Sequence, residues 1–193
     1  MDDRFKRSTY VIRKNFKVFA KAFHVYDADE NPLFYTEFKS SGFTEDIRLC
    51  TDEGMDIELL TIKPRNSPNG ALIFDVFDPK EHKILGVLQR KGFESLFKDK
   101  WMLMPTGERY HGFIEEVHLP LALIRRIIGI GPQTFKATLE GNLLCTFHQN
   151  ANPAARMLKI DFSADTASRF DHRIGIAIGI LLAALEGSKE MQL

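Results

Sequence analysis

Apolar positions recur along the chain in short segments every 8–14 residues, separated by turn-forming residues, and this spacing predicts strands. Residues 18–26 read as a strand and 27–32, Asp-Ala-Asp-Glu-Asn-Pro, as a turn. In the partner strand, 33–39, Phe34, Thr36 and Phe38 share one face, and Tyr35, Glu37 and Lys39 the other. Strands over 46–50 and 57–63 follow, joined by an acidic turn at 51–56. Strands 71–78 and 83–90 flank Pro79-Lys80-Glu81-His82, a loop that suits a hairpin. Residues 92–98 read as an amphipathic helical turn leading into strand 101–104; Thr106-Gly107 is a turn, and 110–118 is a further strand. Residues 120–128, apolar apart from Arg125 and Arg126, break the pattern as a short helix closed by Gly129. Strands 133–140, 142–149 and 156–163 complete about ten to twelve, with a tight turn at Glu140-Gly141-Asn142.

Residues 174–185 read Ile-Gly-Ile-Ala-Ile-Gly-Ile-Leu-Leu-Ala-Ala-Leu, apolar on every helical face, so this helix has no wet side. Twelve helical residues rise about 18 Å, well short of the roughly 30 Å of a bilayer's hydrocarbon core. Gly175 and Gly179, with Ala183, form a small-residue stripe that lets strands or another helix approach the backbone closely. A helix of this kind, following about eleven strands, fits inside a closed β-barrel whose inward side chains cover it. Closure also removes exposed sheet edges. Nothing rich enough in Pro, Gly or Ser divides the chain. One domain over 1–193 is expected, with a basic N-terminal arm at 1–15 and a tail at 187–193.

The composition is that of an ordinary globular protein, unusual only in carrying 16 Phe against 4 Tyr and 1 Trp, which favours strands and a bulky core. Net charge is zero, so no global field draws the chain to nucleic acid or to an anionic membrane. The charge is nevertheless uneven. Residues 1–24 carry seven basic side chains against Asp2 and Asp3, and residues 25–60 carry ten acidic ones against Lys39 and Arg48. Cys50 and Cys145 stand far apart without a CxxC, and the start Met1-Asp2-Asp3-Arg4 shows no secretory signal, so a cytoplasmic protein is expected.

Candidate chemistry is sparse. Asp27-Ala28-Asp29-Glu30-Asn31 spaces oxygen ligands like the start of an EF-hand loop, but Pro32 stands where that loop needs Gly and Phe38 where it needs Glu. It is therefore read as a turn. The six histidines form no metal spacing, no Gly-x-Ser-x-Gly elbow or Walker loop is present, and Gly129-Ile130-Gly131 lacks a third glycine. Glu115 and Glu116 point to opposite strand faces, so they are no acid/base pair. No cofactor, metal or catalytic residue is expected. The remaining candidate is a lipid or anion site: Arg90, Lys91, Lys98 and Lys100 bracket Phe93, Leu96, Phe97 and Trp101. The basic N-terminal arm is a second candidate of the same kind.

The chain resembles the tubby C-terminal-like superfamily, in its scramblase-like and LURP-one-related branch. The resemblance rests on features in a fixed order. These are the strand pair 23–26 and 33–39; Ile47-Arg48-Leu49; 74–78 followed by Leu85-Gly86-Val87-Leu88-Gln89-Arg90; and Phe93-Glu94-Ser95-Leu96 with Asp99 and Trp101. Then come 112–116; Leu123-Ile124-Arg125-Arg126; and Phe170-Asp171-His172-Arg173 opening the apolar helix. The resemblance implies a closed antiparallel barrel of twelve strands around a central hydrophobic C-terminal helix. Tubby domains bind phosphoinositides, animal scramblases are linked to calcium-dependent lipid movement, and plant members to defence. Asp161, Asp165 and Asp171 lie where scramblases have a proposed calcium segment, although helix capping explains them as well. The terminal helix is shorter than the scramblase segment, and a charge- and amide-rich tail, 186–193, follows it; both weaken a scramblase reading.

The expected function is a non-enzymatic binding module for phospholipid headgroups or a membrane-associated partner, cytoplasmic and peripheral to a membrane. Anionic phospholipid or a membrane-associated protein is the expected partner, with no nucleic acid and no transmembrane segment. A scramblase-type lipid transporter and a regulatory scaffold without lipid activity are the alternatives.

Overall fold

The computed structural model describes residues 1–16, 20–39, 43–67, 71–90, 100–106, 111–117, 133–150, 152 and 157–186. Twelve strands run in chain order: β1 (Thr9–Phe16), β2 (Ala20–Tyr26), β3 (Pro32–Lys39), β4 (Ile47–Cys50), β5 (Glu58–Arg65) and β6 (Ile73–Asp78). They continue with β7 (Lys83–Arg90), β8 (Lys100–Pro105), β9 (Gly112–Glu116), β10 (Gln133–Leu139), β11 (Asn142–Gln149) and β12 (Met157–Asp161). Each pairs antiparallel with its neighbours in sequence, and β12 returns to β1 with Tyr10 opposite Ile160 and Ile12 opposite Leu158. The barrel is therefore closed. Bulges at Val25/Tyr26, Leu49/Cys50, Val76/Phe77 and Ala137/Thr138 give the added local twist that closure requires.

Turn chemistry follows from backbone sign. Glu140 and Gly141 join β10 to β11 in two residues with φ of +51° and +79°, the twist of a type I′ hairpin. In β3, Phe34, Thr36 and Phe38 are buried, and so is Tyr35, whose hydroxyl donates to Glu37 at 2.5 Å, so burial in this strand does not alternate.

The N-terminal arm expected over 1–15 is corrected. Asp3–Lys6 is a 3-10 turn, and Thr9–Phe16 is a full barrel strand paired with both β12 and β2. Its apolar side chains alternate, with Tyr10 and Ile12 fully buried, while Arg13 faces outward over the Tyr26 ring at 4.8 Å and ion-pairs with Glu30. The basic start and the acidic stretch after it are thus neighbouring strands that partly neutralise each other. His24 Nε2 and Glu53 Oε1 lie 3.0 Å apart outside β2, within hydrogen-bond distance.

The single described α-helix, α1 (His172–Glu186), is the axle of the barrel. Residues 173–182 are buried without a break, so no helical face is left for water. On one side α1 touches β1 and β12, on the opposite side β6 and β7. It therefore crosses the centre of the barrel instead of lining one wall. Burying each Ile or Leu of this helix contributes about 1.5–3 kcal/mol. The small-residue stripe faces β1 and β12: a Cβ on Gly179 would lie 2.6 Å from Ile160 Cδ1 and 2.9 Å from Ile12 Cδ1. Among the described residues, no helix is long and apolar enough to cross a membrane.

Both ends of the axle are fastened by polar groups. At the start, Asp171 caps the helix by accepting from the Arg173 N–H at 2.9 Å, and the Arg173 guanidinium, 8% exposed, bonds Asp171 and Asp78. At the far end the buried Lys21 donates its Nζ to the Ala184 carbonyl at 3.1 Å, placing a cation on the negative end of the helix dipole. Phe5 of the 3-10 turn closes the first mouth, stacked 4.7 Å from Phe34.

Candidate functional site

The lipid or anion patch expected from sequence is only partly within the described residues, since Lys91 and Lys98 lie outside them, as do Phe93, Leu96 and Phe97. Arg90 ends β7 opposite Trp101, with its N–H donating to the Leu72 carbonyl at 2.9 Å. Lys100 opens β8, ion-pairs with Glu115 across the β8–β9 ladder and sits 4.1 Å above the Phe113 ring. Trp101 is 3% exposed and packs on Phe74, so it presents no aromatic face for docking. The alternation of β8 turns Trp101 inward, which its neighbours in sequence do not reveal.

The acidic residues that resemble calcium ligands serve the backbone. Asp161 accepts from the Ser163 N–H, Asp165 from Arg169 and Phe170, and Asp171 caps α1. Among the described residues there is no group of three or more His, Cys, Asp or Glu able to hold a metal ion. Both thiols are buried, and burial pushes both upward, Cys145 furthest, which leaves little thiolate for nucleophilic chemistry.

With the interior occupied by α1, concave polar surface is found at the barrel mouth where the axle begins. An open cleft of about 400 Å³ is lined by Arg7, Ser8, Thr9, Asp27, Ala28, Asp29 and Asn31. One wall is the start of β1. Its path is set by Tyr10, whose hydroxyl donates to the Arg4 carbonyl at 3.1 Å and accepts from the Arg7 N–H at 3.0 Å. Burial pushes that phenol up to about 12, so it keeps its proton. The other wall is the β2–β3 turn. Here the Asp27 carboxylate accepts from the N–H groups of Asp29 and Asn31 at 3.0 and 2.9 Å, and from Asn31 Nδ2 at 3.2 and 3.1 Å. These bonds, the Asn31 side chain's first, hold its carboxyl below the ordinary range, with a smaller contribution from the charge of Arg7.

Asp27 is thus spent on the turn, whereas other groups of the cleft are unused. Among the described residues, the Arg7 guanidinium, the Ser8 and Thr9 hydroxyls and the Asp29 carboxylate make no hydrogen bond or ion pair. Sequence reading missed this cleft because its walls come from two separate segments without a motif. The nearest signals were the EF-hand-like spacing of Asp27, Asp29 and Asn31, which marks one wall, and the basic N-terminal arm, which holds the other.

His172 stands just beneath this mouth, stacked on Phe162 at 4.0 Å and edge-on to Tyr10 at 6.4 Å, with a buried Nδ1 that has no hydrogen-bond partner among the described residues. Burial pushes its imidazole below the ordinary histidine range, outweighing the opposing effects of the Phe5 backbone, Asp165, Asp171 and the Arg7 backbone. The unfolded chain then binds this proton more readily near pH 6.5. The stabilising contribution is complete above that pH and is lost as pH falls through the lower folded value. The urea midpoint is expected to fall further between roughly pH 7 and pH 5 in the wild type than in His172→Phe. Equal slopes for the two proteins would refute this role for His172.

No family model, curated protein or solved structure matches the chain.

Proposed function

We propose that the protein is a non-enzymatic binding module for phospholipid headgroups, working from the surface of its barrel. The observation that carries this reading is the mouth cleft. The axle leaves the interior filled, and the cleft holds a guanidinium and two hydroxyls with no partner among the described residues. Arginine and hydroxyl donors match a phosphate's oxygen acceptors, and about 400 Å³ lies within the usual range of small-ligand sites. The fold expected from the tubby-like resemblance coincides with the observed barrel and axle, which supports membership of that superfamily as part of the same proposal.

Sedimentation with phospholipid vesicles at low salt tests the reading. The protein is expected to pellet with vesicles containing phosphatidylethanolamine, phosphatidylglycerol and phosphoinositide. Arg7→Ala is expected to weaken that binding roughly fivefold, the loss of about 1 kcal/mol of charge interaction at the membrane surface. Protein left in the supernatant with every composition would sink it.

A further inference from the structure

The charges lining the cleft narrow the ligand class. Among the described lining residues Arg7 supplies one positive charge, and Asp27 and Asp29 two negative ones, so a purely anionic ligand would meet more repulsion than attraction. A purely cationic ligand would leave Arg7 and the two hydroxyls unused, and a neutral one would desolvate Arg7 and Asp29 without pairing either. The positive wall is contributed by residues 7–9 and the negative wall by 27–31, and no ion pair joins Arg7 to Asp27 or Asp29 among the described residues. The two signs stay apart and both stay available. Among the described residues the lining contains no aromatic ring, and a quaternary ammonium is recognised mainly by aromatic faces. A primary ammonium, by contrast, donates hydrogen bonds that a carboxylate accepts.

Resting on the headgroup reading, we infer that the cleft binds a zwitterion with a phosphate at one end and a primary ammonium at the other: a phosphoethanolamine group, free or as a lipid headgroup. The phosphate lies against Arg7, Ser8 and Thr9, and the ammonium against Asp29. This revises the expected partner from an anionic phospholipid to a zwitterionic one.

Titration calorimetry with soluble phosphoethanolamine tests the assignment on the full chain. Arg7→Ala and Asp29→Asn change exposed side chains with no partner among the described residues, so both proteins fold. Saturable binding is expected in the wild type, about tenfold weaker in each variant, and about tenfold weaker for inorganic phosphate or ethanolamine alone. Absence of saturable binding, equal binding of inorganic phosphate, or an unaffected Asp29→Asn would overturn it. Vesicles separate the two readings. Binding to phosphatidylethanolamine vesicles that Arg7→Ala weakens but Asp29→Asn retains in full refutes the zwitterion site and leaves a headgroup module at the cleft. Tight soluble binding with no vesicle binding keeps the zwitterion site and removes the membrane.

Discussion

Arg173→Leu is expected to lower stability by about 3–5 kcal/mol, because it removes the partner of a buried carboxylate. Arg173 is 8% exposed and Asp78 5%. The guanidinium bonds Asp171 through Nε at 3.0 and 3.1 Å and through Nη2 at 2.6 Å, reaches Asp78 through Nη1, and lies 3.6 Å from Glu81. Asp78 also accepts from the N–H groups of Lys80 and Glu81 at 2.8 and 3.0 Å, which fixes the β6–β7 loop and holds the carboxylate in place when arginine is gone. The cost is therefore the stranded Asp78, since Asp171 is a quarter exposed and is rescued by water. Asp78→Asn in the Arg173→Leu background should recover much of the loss, because an amide carries no charge to desolvate. An unfolding free energy for Arg173→Leu within about 1 kcal/mol of wild type, from urea titration at unchanged m, would show that this pair does not fasten the axle.

The same pair shows how much of the fold was legible in sequence. That residues 174–185 form a buried helix follows from an apolar run with no polar face, and the hairpin at residues 140–142 follows from its glycine. How the helix is anchored was not legible, because Asp78 and Arg173 are ninety-five positions apart and only barrel closure brings β6 to the start of α1. β1 was hidden for another reason. Arg13, Lys14 and Asn15 make the segment look like a solvated arm, and the inward signal rests on Tyr10 and Ile12 alone. Its acidic counterpart, Glu30, lies across a turn. The candidate site divides similarly. Local clustering of charge singled out Lys100, but Glu115, from another strand, takes up its ammonium. Arg7 was legible only as one charge of a basic N-terminal arm, a second candidate without a located site, and Tyr10 and the Asp27 turn place it at a concave edge with no hydrogen bond or ion pair to its guanidinium among the described residues.

Gly175→Val is expected to cost about 3 kcal/mol, at the upper end for overpacking a filled core. A Cβ at Gly175 would lie 2.4 Å from Phe162 Cζ and 2.5 Å from its Cε1, distances that no real contact shows. Phe162 has little room to retreat, because His172 stacks on it at 4.0 Å, Tyr10 meets it edge-on at 5.8 Å and Phe170 lies at 6.0 Å. Alanine adds only the Cβ and recovers up to about 1 kcal/mol of helix propensity, so Gly175→Ala should fall between wild type and valine. Gly179→Ala should be milder still, since its neighbours are the terminal methyls of Ile160 and Ile12, which can rotate away. The order Gly175→Val, Gly175→Ala, Gly179→Ala in falling cost is what a glycine stripe pressed against its own barrel wall requires. A stripe serving to pair helices of two chains would leave the unfolding midpoint of Gly175→Val at the wild-type value and change only the oligomeric state, so denaturation and sedimentation velocity together decide between the two.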